Sequence, residues 1–235
     1  MASLVEDPDG TLRALVDHLG HDLEPSILIG GWATYLRVGG EISHDIDLII
    51  GDDTVRTKLR ERLDELNANS HLQGTKWSGE VEGVHLDIYI PYQSMLGARL
   101  RLRVEVLARY VEPADDESQR WLLLTIEAHT VSKIAALLDR WSSVKGIKDA
   151  NEILALLRKG VDAAAAVQVL AEAADGPHGD LPAQIEDAFR LVAERGSTNR
   201  EDRKWLDRLR REWLDLAAAV VRSETSGERP RPTLS

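Results

Sequence analysis

The sequence contains no cysteine, and this absence excludes both a disulfide framework and a metal site built from thiolates. Long apolar runs are missing as well, since no stretch reaches the roughly 18 apolar residues that a membrane-spanning helix needs. The N-terminal segment MASLVEDPDGTL lacks the basic region and the apolar core of a secretory signal. We therefore expect a cytoplasmic protein with no membrane partner.

Basic residues are fewer than acidic ones. The 235 residues include 29 Lys and Arg against 40 Asp and Glu, which gives a formal net charge of −11 at pH 7. Because binding along nucleic acid depends on Lys and Arg contacts with phosphate, this balance argues against a protein that coats nucleic acid. It leaves room for a local basic patch and therefore for an RNA partner.

The apolar pattern changes about halfway along the chain. Before that point, short strands alternate with amphipathic helices, as in SILIG, GWATYLRVG and HDIDLII. We also expect a helix over DDTVRTKLRERLDELNAN and a strand over ARLRLRVEVLARY. After that point, the sequence predicts helices separated by Gly-, Ser- or Pro-containing breaks. We predict an α+β protein with a mixed sheet and flanking helices over residues 1–125, a helical bundle over 126–222 and a disordered tail over 223–235.

Three aspartates lie within apolar strand patterns and are candidates for a metal site. Asp45 and Asp47 alternate with apolar residues, and Asp87 is centred in the strand pattern VEGVHLDIYI. Because alternate residues of a strand share a face, Asp45 and Asp47 project together, and Asp87 joins them if the two strands are neighbours. Like charges side by side cost free energy unless a cation lies between them. Such hard oxygen ligands suit Mg²⁺ or Mn²⁺, and two such ions can promote phosphoryl transfer.

Two glycines, Gly30 and Gly31, lie between a predicted strand and a predicted helix. Glycine allows a ligand to approach the backbone closely, and a helix N-terminus directs free N–H groups at an anion. We expect the triphosphate of a nucleotide to lie between these N–H groups and the metal ions. Ser43, just before the acidic strand, either binds phosphate or caps the turn, and we expect His44 and His85 to flank the acidic site.

The order of these motifs resembles that of the DNA polymerase β-type nucleotidyltransferase superfamily. Its three motifs are matched by Ile29-Gly30-Gly31, Asp45-Ile46-Asp47-Leu48 and Leu86-Asp87-Ile88. More narrowly, GGWATYLRVGGEISHDIDLI is similar to the AbiEii and MenT-like nucleotidyltransferase toxins of type IV toxin–antitoxin systems. The helical block VSKIAALLDRWSSVKGIKDANEILALL is similar to a second motif of these toxins, whose positions are occupied by Lys133, Arg140, Lys148 and Asp149.

The resemblance implies a metal-dependent nucleotidyltransferase whose first domain is residues 1–125 and whose helical domain contributes Lys133 to the site. It implies that an NTP is the substrate, that Asp45 and Asp47 hold Mg²⁺ or Mn²⁺, and that Asp87 completes the site and helps to deprotonate an acceptor hydroxyl. Lys133 would bind phosphate, and the other three residues of the helical motif would bind nucleotide, Asp149 either by positioning a lysine or by contacting the acceptor. A toxin of this kind implies tRNA or a protein as acceptor and a cognate antitoxin as partner.

Two other functions fit the same residues. A small-molecule nucleotidyltransferase of the aminoglycoside-modifying kind would use the same motifs. A non-catalytic nucleotide-binding regulatory module would keep the fold without transfer, although the intact Asp45, Asp47 and Asp87 argue against it. Arg99, Arg101 and Arg103 alternate with leucine, and such a strand face either follows a phosphate backbone or pairs with local acids.

Overall fold

The structure is a computed structural model that describes residues 8–62, 67–71, 74–114 and 120–225. The chain divides into two compact units. The first comprises Met1–Met95 and Ala108–Thr125, and the second comprises Leu96–Leu107 and Ile126–Ser235. The segment Leu96–Leu107 therefore groups with the helical part of the chain, although it precedes the boundary that we expected after residue 125.

The described strands are β1 (Ile27–Ile29), β2 (Asp45–Ile49), β3 (Asn67–His71), β4 (Gly74–Val81), β5 (Val84–Tyr89), β6 (Met95–Leu96), β7 (Leu102–Arg103), β8 (Val111–Pro113) and β9 (Leu122–Leu124). Seven of them form a mixed sheet in the order β3-β4-β5-β2-β1-β9-β8, while β6 and β7 form a separate pair. Strand β2 runs parallel to β5 and antiparallel to β1, and β4 runs antiparallel to β5. The fold class is α+β, as the sequence predicts.

Within its described residues, the first unit contains the helices α1 (Pro8–Asp22), α2 (Gly30–Val38) and α3 (Asp53–Arg62). Its core contains Leu28 of β1, Trp32 of α2, and Ile46 and Leu86 of the central strands, all of which are buried. Since side chains alternate along a strand, the residues between these apolar positions in β2 and β5 lie on the opposite, polar face of the sheet. This alternation separates the core from the candidate site.

The helix predicted over DDTVRTKLRERLDELNAN is correct only in its first part. Helix α3 covers Asp53–Arg62, whereas Asn67–His71 forms strand β3. The residues between them lie outside the described part of the chain. Strand β3 pairs antiparallel with β4 along its whole length. The hydrogen bonds to β4 therefore outweigh the helical spacing of the local sequence, a spacing that is only a weak preference.

The second unit contains α4 (Val104–Leu107), α5 (Ile126–Arg140), α6 (Val144–Gly160), α7 (Ala163–Ala173), α8 (Leu181–Arg195) and α9 (Arg200–Thr225). The five longer helices lie in the part of the chain for which the sequence predicts a helical bundle. Their buried residues form the core of this unit, in which the rings of Phe189 and Trp213 pack edge to face with centroids 5.4 Å apart. Residues 223–225 continue the last helix, contrary to the expected tail, and the remainder of that tail lies outside the described residues.

The strand predicted over ARLRLRVEVLARY is wrong. The structure forms only the short strand β7 there, followed by helix α4. The guanidinium groups are paired within the helical unit, because Arg99 lies 2.8 Å from Asp187 and Arg101 lies 2.7 Å from Asp175, while Arg103 donates to the carbonyl of Glu172. The alternation reflects buried leucines between paired arginines, so pairing with local acids is the arrangement that the structure shows.

Among the described residues, no helix combines the length and the apolar composition that crossing a membrane requires.

Candidate functional site

Three aspartates lie on the polar face of two neighbouring strands. Strands β2 and β5 pair in parallel register, so that Asp47 lies directly opposite Asp87 and Asp45 lies opposite His85. All three aspartates are half-buried, while the apolar residues between them are buried on the other face of the sheet. Neighbouring strands lie about 4.8 Å apart, so side chains in register on one face of the sheet are close together. The structure thus brings these carboxylates onto one small surface.

The turn between β1 and α2 places Gly30 against Asp47. Gly30 has φ +69, a conformation that residues with a side chain rarely adopt, and a Cβ atom added there would overlap Oδ2 of Asp47. Helix α2 begins at this glycine, and the Thr34 hydroxyl donates to the Gly30 carbonyl at 3.1 Å. The first N–H groups of the helix, including that of the buried Gly31, have no partner four residues earlier within the helix. The first N–H groups of α2 therefore lie close to the Asp47 carboxylate.

A lysine that the sequence analysis missed contacts the third aspartate. Lys76 Nζ lies 2.7 Å from Oδ2 of Asp87, and His85 Nε2 lies 3.1 Å from Oδ1 of the same carboxylate. Lys76 belongs to β4, the strand on the other side of β5 from β2. Strand β4 was not predicted, because GTKWSGEV contains few apolar residues; its alternation of Lys76, Ser78 and Glu80 is the signal that could have shown it.

The chemistry of these donors fits a divalent cation. The carboxylates of Asp45, Asp47 and Asp87 share a face and supply the hard oxygen ligands that Mg²⁺ and Mn²⁺ prefer. However, no group of three His, Asp or Glu side chains within the described ranges has the arrangement of a metal site. One physical reason is visible at Asp87, where Lys76 and His85 each engage one carboxylate oxygen. The residues that could hold an ion are therefore present, with one of them occupied by neighbouring side chains.

Ser43, His44 and His85, which the sequence predicts to lie next to the acidic strands, all belong to the first unit. Ser43 is half-buried in the segment that leads into β2, and His44 next to it is exposed. His85 is also exposed and contacts Asp87 as described above. His44 and His85 both lie at the ends of the acidic strands, where the sequence places them.

The four predicted residues of the helical motif lie in the second unit, on α5 and α6. Lys133 has a buried side chain whose Nζ lies 2.5 Å from Oε2 of Glu152 and 3.6 Å from Oδ1 of Asp149. Arg140 binds the same Asp149 with two hydrogen bonds, of 2.6 and 2.9 Å. Lys148 is half-buried on α6. Two cations of α5 are thus neutralised by two carboxylates of α6, an arrangement that permits charges to be buried.

Glu152 is the member of this cluster that sequence reasoning missed. Burial raises the pKa of the Glu152 carboxyl above its ordinary value of 4.5, and the nearby Lys133 ammonium lowers it by less. The signal for it in the sequence is its spacing, since Asp149 and Glu152 are three residues apart and so share a helix face.

The sequence and the fold were compared with known proteins. Residues 13–232 match the model of a family described as the nucleotidyl transferase AbiEii toxin of type IV toxin–antitoxin systems. No curated protein sequence matches the chain. The match to the family model extends over both compact units.

Several solved structures are similar in fold. An antigenic nucleotidyltransferase-like protein from Paracoccidioides brasiliensis is 18% identical with a TM-score of 0.46, over 80% of this chain and 94% of that one. The antibiotic-resistance factor ANT(2'')-Ia is 15% identical with a TM-score of 0.42, over 92% and 98% of the two chains. The CCA-adding enzyme of Thermotoga maritima, solved with tRNA, is 12% identical with a TM-score of 0.31, over 96% and 74%. All three TM-scores are below 0.5, so these likenesses carry no conclusion about this chain.

Proposed function

The chain belongs to the AbiEii family of nucleotidyltransferase toxins from type IV toxin–antitoxin systems, and from this premise we propose a metal-dependent transfer of NMP from an NTP to an acceptor hydroxyl. The observation that carries the proposal is the register of β2 and β5, which sets Asp47 opposite Asp87 beside the turn at Gly30. Carboxylates next to a helix N-terminus can bind a triphosphate together with its cation, because the carboxylates bind the cation and the N–H groups bind the phosphate oxygens.

In the proposed reaction, the first N–H groups of α2, from Gly30 and Gly31 onward, donate hydrogen bonds to the triphosphate. Asp45, Asp47 and Asp87 hold Mg²⁺ or Mn²⁺, which when bound supplies positive charge to the phosphate oxygens. Oδ1 of Asp87 accepts the proton of the acceptor hydroxyl. A bond then forms between the acceptor oxygen and the α-phosphorus, the bond from that phosphorus to the bridging oxygen breaks, and pyrophosphate leaves.

The assignment of Lys133 to phosphate binding, with Arg140, Lys148 and Asp149 as nucleotide-binding residues, rests on the resemblance of their motif and is part of this proposal. An ammonium group has three N–H donors. One donor of Lys133 binds Glu152, and in this proposal another donates to a phosphate oxygen. Ser43 is a further candidate for phosphate binding. This division of roles makes Glu152 a support for Lys133 rather than a ligand of the nucleotide.

We propose tRNA or a protein as the acceptor, a cognate antitoxin as the partner and the cytoplasm as the location. The family description names a type IV toxin–antitoxin system, and this supports an antitoxin as partner. Each labelled NTP would be incubated with the protein and Mg²⁺ in the presence of total RNA, cell protein or an aminoglycoside. We expect label on RNA or protein; label on the drug would instead establish a small-molecule nucleotidyltransferase.

The carboxylates provide the first specific prediction. Asp47→Asn or Asp87→Asn keeps the size of the side chain but removes a charge, so we expect transfer to fall at least about a hundredfold. Asp17→Asn, in the exposed part of α1, is the matched control and should retain transfer. Removal of divalent ions with EDTA should abolish the reaction, and added Mg²⁺ or Mn²⁺ should restore it. Full transfer by Asp47→Asn, or in EDTA, would contradict the proposal.

A further inference from the structure

The side chain of Lys76 contacts Asp87, one of the three carboxylates that would hold a divalent cation. Its Nζ atom is 2.7 Å from Oδ2, and the two side chains are only 21% and 17% exposed. A partly buried pair of this kind is screened less by water and salt than a surface pair. The ammonium therefore neutralises a substantial part of the Asp87 charge.

The strand order explains why this neutralisation matters. Strand β5 lies between β4, which carries Lys76, and β2, which carries Asp47 directly opposite Asp87. Two adjacent carboxylates repel one another, and like charges directly opposite in a sheet are destabilising. A cation on the β4 side of Asp87 reduces that repulsion. The protein thus carries its own counter-charge at the edge of the acidic surface.

We propose that Lys76 is a positioning residue that holds Asp87 in the metal-free protein and competes with a divalent cation for its carboxylate. This inference rests on the proposed metal-dependent function. His85 fixes Oδ1 at 3.1 Å, whereas Lys76 occupies Oδ2, so a cation that uses Oδ2 must displace the ammonium. The competition lowers the affinity for the bare ion. It favours entry of the ion together with the triphosphate, whose oxygens add ligands and whose negative charge attracts the released ammonium.

Direct titration with Mn²⁺ alone, followed by calorimetry or by the electron paramagnetic resonance signal of the free ion, tests the competition without any turnover. Lys76→Met removes the ammonium and keeps a long unbranched side chain. We expect this variant to bind Mn²⁺ about five- to tenfold more tightly than the wild type, which corresponds to the loss of one partly buried ion pair. Lys76→Arg retains a cation beside Asp87 and should bind Mn²⁺ within about twofold of the wild type.

The matched control is Lys58→Met, which removes the same charge from the same unit at an exposed position of α3. It should leave the Mn²⁺ affinity within about twofold of the wild type. A gain in affinity in Lys58→Met equal to that in Lys76→Met would mean that net charge, rather than the contact with Asp87, sets the affinity. That result would overturn the inference, and so would unchanged or weaker Mn²⁺ binding by a folded Lys76→Met protein.

A measurement on the unaltered chain covers the case in which Lys76→Met does not fold. If Mn²⁺ displaces the ammonium, the rate at which an amine reagent modifies Lys76 should rise severalfold on adding the ion, as measured by mass spectrometry. An unchanged rate at saturating Mn²⁺ would overturn the competition and leave the metal site standing. If neither the wild type nor Lys76→Met binds Mn²⁺, both the metal site and the competition are wrong.

Discussion

Gly30 is the residue at which the backbone and the candidate site meet most closely. Its φ of +69 matches the φ of +71 at Gly39, but the surroundings of the two residues differ. A Cβ atom at Gly30 would overlap the Asp47 carboxylate, whereas one at Gly39 would have no atom within 4 Å. The chain therefore contains two glycines of similar positive φ, only one of which lies against a functional side chain.

We predict that Gly30→Ala and Gly39→Ala each lower the free energy of unfolding by at least about 1–2 kcal/mol, the cost of a side chain at positive φ, and that the overlap with Asp47 adds to this cost at Gly30. Gly30→Ala should in addition displace Asp47 and reduce transfer at least about a hundredfold, since small shifts of reacting groups have effects of this size. Gly39→Ala serves as the control for strain alone. Equal transfer rates in the two variants, measured with labelled NTP, would show that the contact between Gly30 and Asp47 has no role in the reaction.

At the scale of elements, the pairing of α5 with α6 depends on buried charges. Asp149 has a side chain only 2% exposed, and it accepts two hydrogen bonds from Arg140 while Lys133 lies 3.6 Å away. Removing one partner of a buried ion pair costs about 3–5 kcal/mol when the remaining charge stays buried. The Arg140 side chain is 42% exposed and Lys133 keeps Glu152, so the loss of Asp149 belongs at the lower end of this range. The motif that resembles a nucleotide-binding block thus also holds two helices together.

We predict that Asp149→Asn lowers the free energy of unfolding by about 3 kcal/mol, measured by urea denaturation. Arg140→Lys keeps the charge but replaces a bidentate contact with Asp149 by a single hydrogen bond. We therefore expect a smaller loss in the free energy of unfolding, of about 1 kcal/mol. Asp215→Asn, at an exposed position of α9, is the control and should change stability by less than about 0.5 kcal/mol. If Asp149→Asn were as stable as this control, the charge pairing would not hold the helices together.

The elements in which apolar residues recur at a regular spacing were predictable from the sequence. The long helices after residue 125 and strands β1, β2 and β5 follow the apolar spacing, because each buries one face or one stripe. Strand β4 was missed, since its stability comes from hydrogen bonds to both neighbours rather than from apolar residues. In the segment Leu96–Leu107 a long strand was predicted but is not formed. Alternation of apolar and polar residues indicates a chain that covers a buried surface, and it does not require a neighbouring strand.

Part of the candidate site was predictable from the same apolar patterns. Asp45, Asp47, Asp87 and the glycine turn lie in elements with clear patterns, so their common face follows from strand periodicity once the strands are neighbours. Lys76 and Glu152 were not predicted, because charged residues leave no mark on an apolar pattern. Their positions depend on which elements pair, which is a property of the tertiary structure.

At the scale of the whole molecule, an excess of acidic residues coexists with locally balanced charge clusters. The chain has a net charge of −11, yet Lys76 neutralises Asp87 in the first unit, and two cations meet two carboxylates in the second. Excess negative charge at the surface is solvated at little cost, whereas buried charge must be paired. The balance inside each unit is therefore a requirement of folding as well as a property of the candidate site.

The pH dependence of stability provides a test of that balance at Glu152. Burial raises the pKa of its carboxyl above 4.5 in the folded protein, so the folded state holds the proton more tightly than the unfolded state. The stability that this adds is complete below pH 4.5 and is lost as the pH rises through the folded pKa.

Glu152→Gln cannot titrate but keeps an acceptor for Lys133. We predict that the free energy of unfolding of the wild type, relative to that of Glu152→Gln, falls as the pH rises above 4.5 in urea denaturation series. Parallel curves for the two proteins would mean that Lys133 fully offsets the burial of Glu152, so that ionisation of Glu152 leaves the stability unchanged.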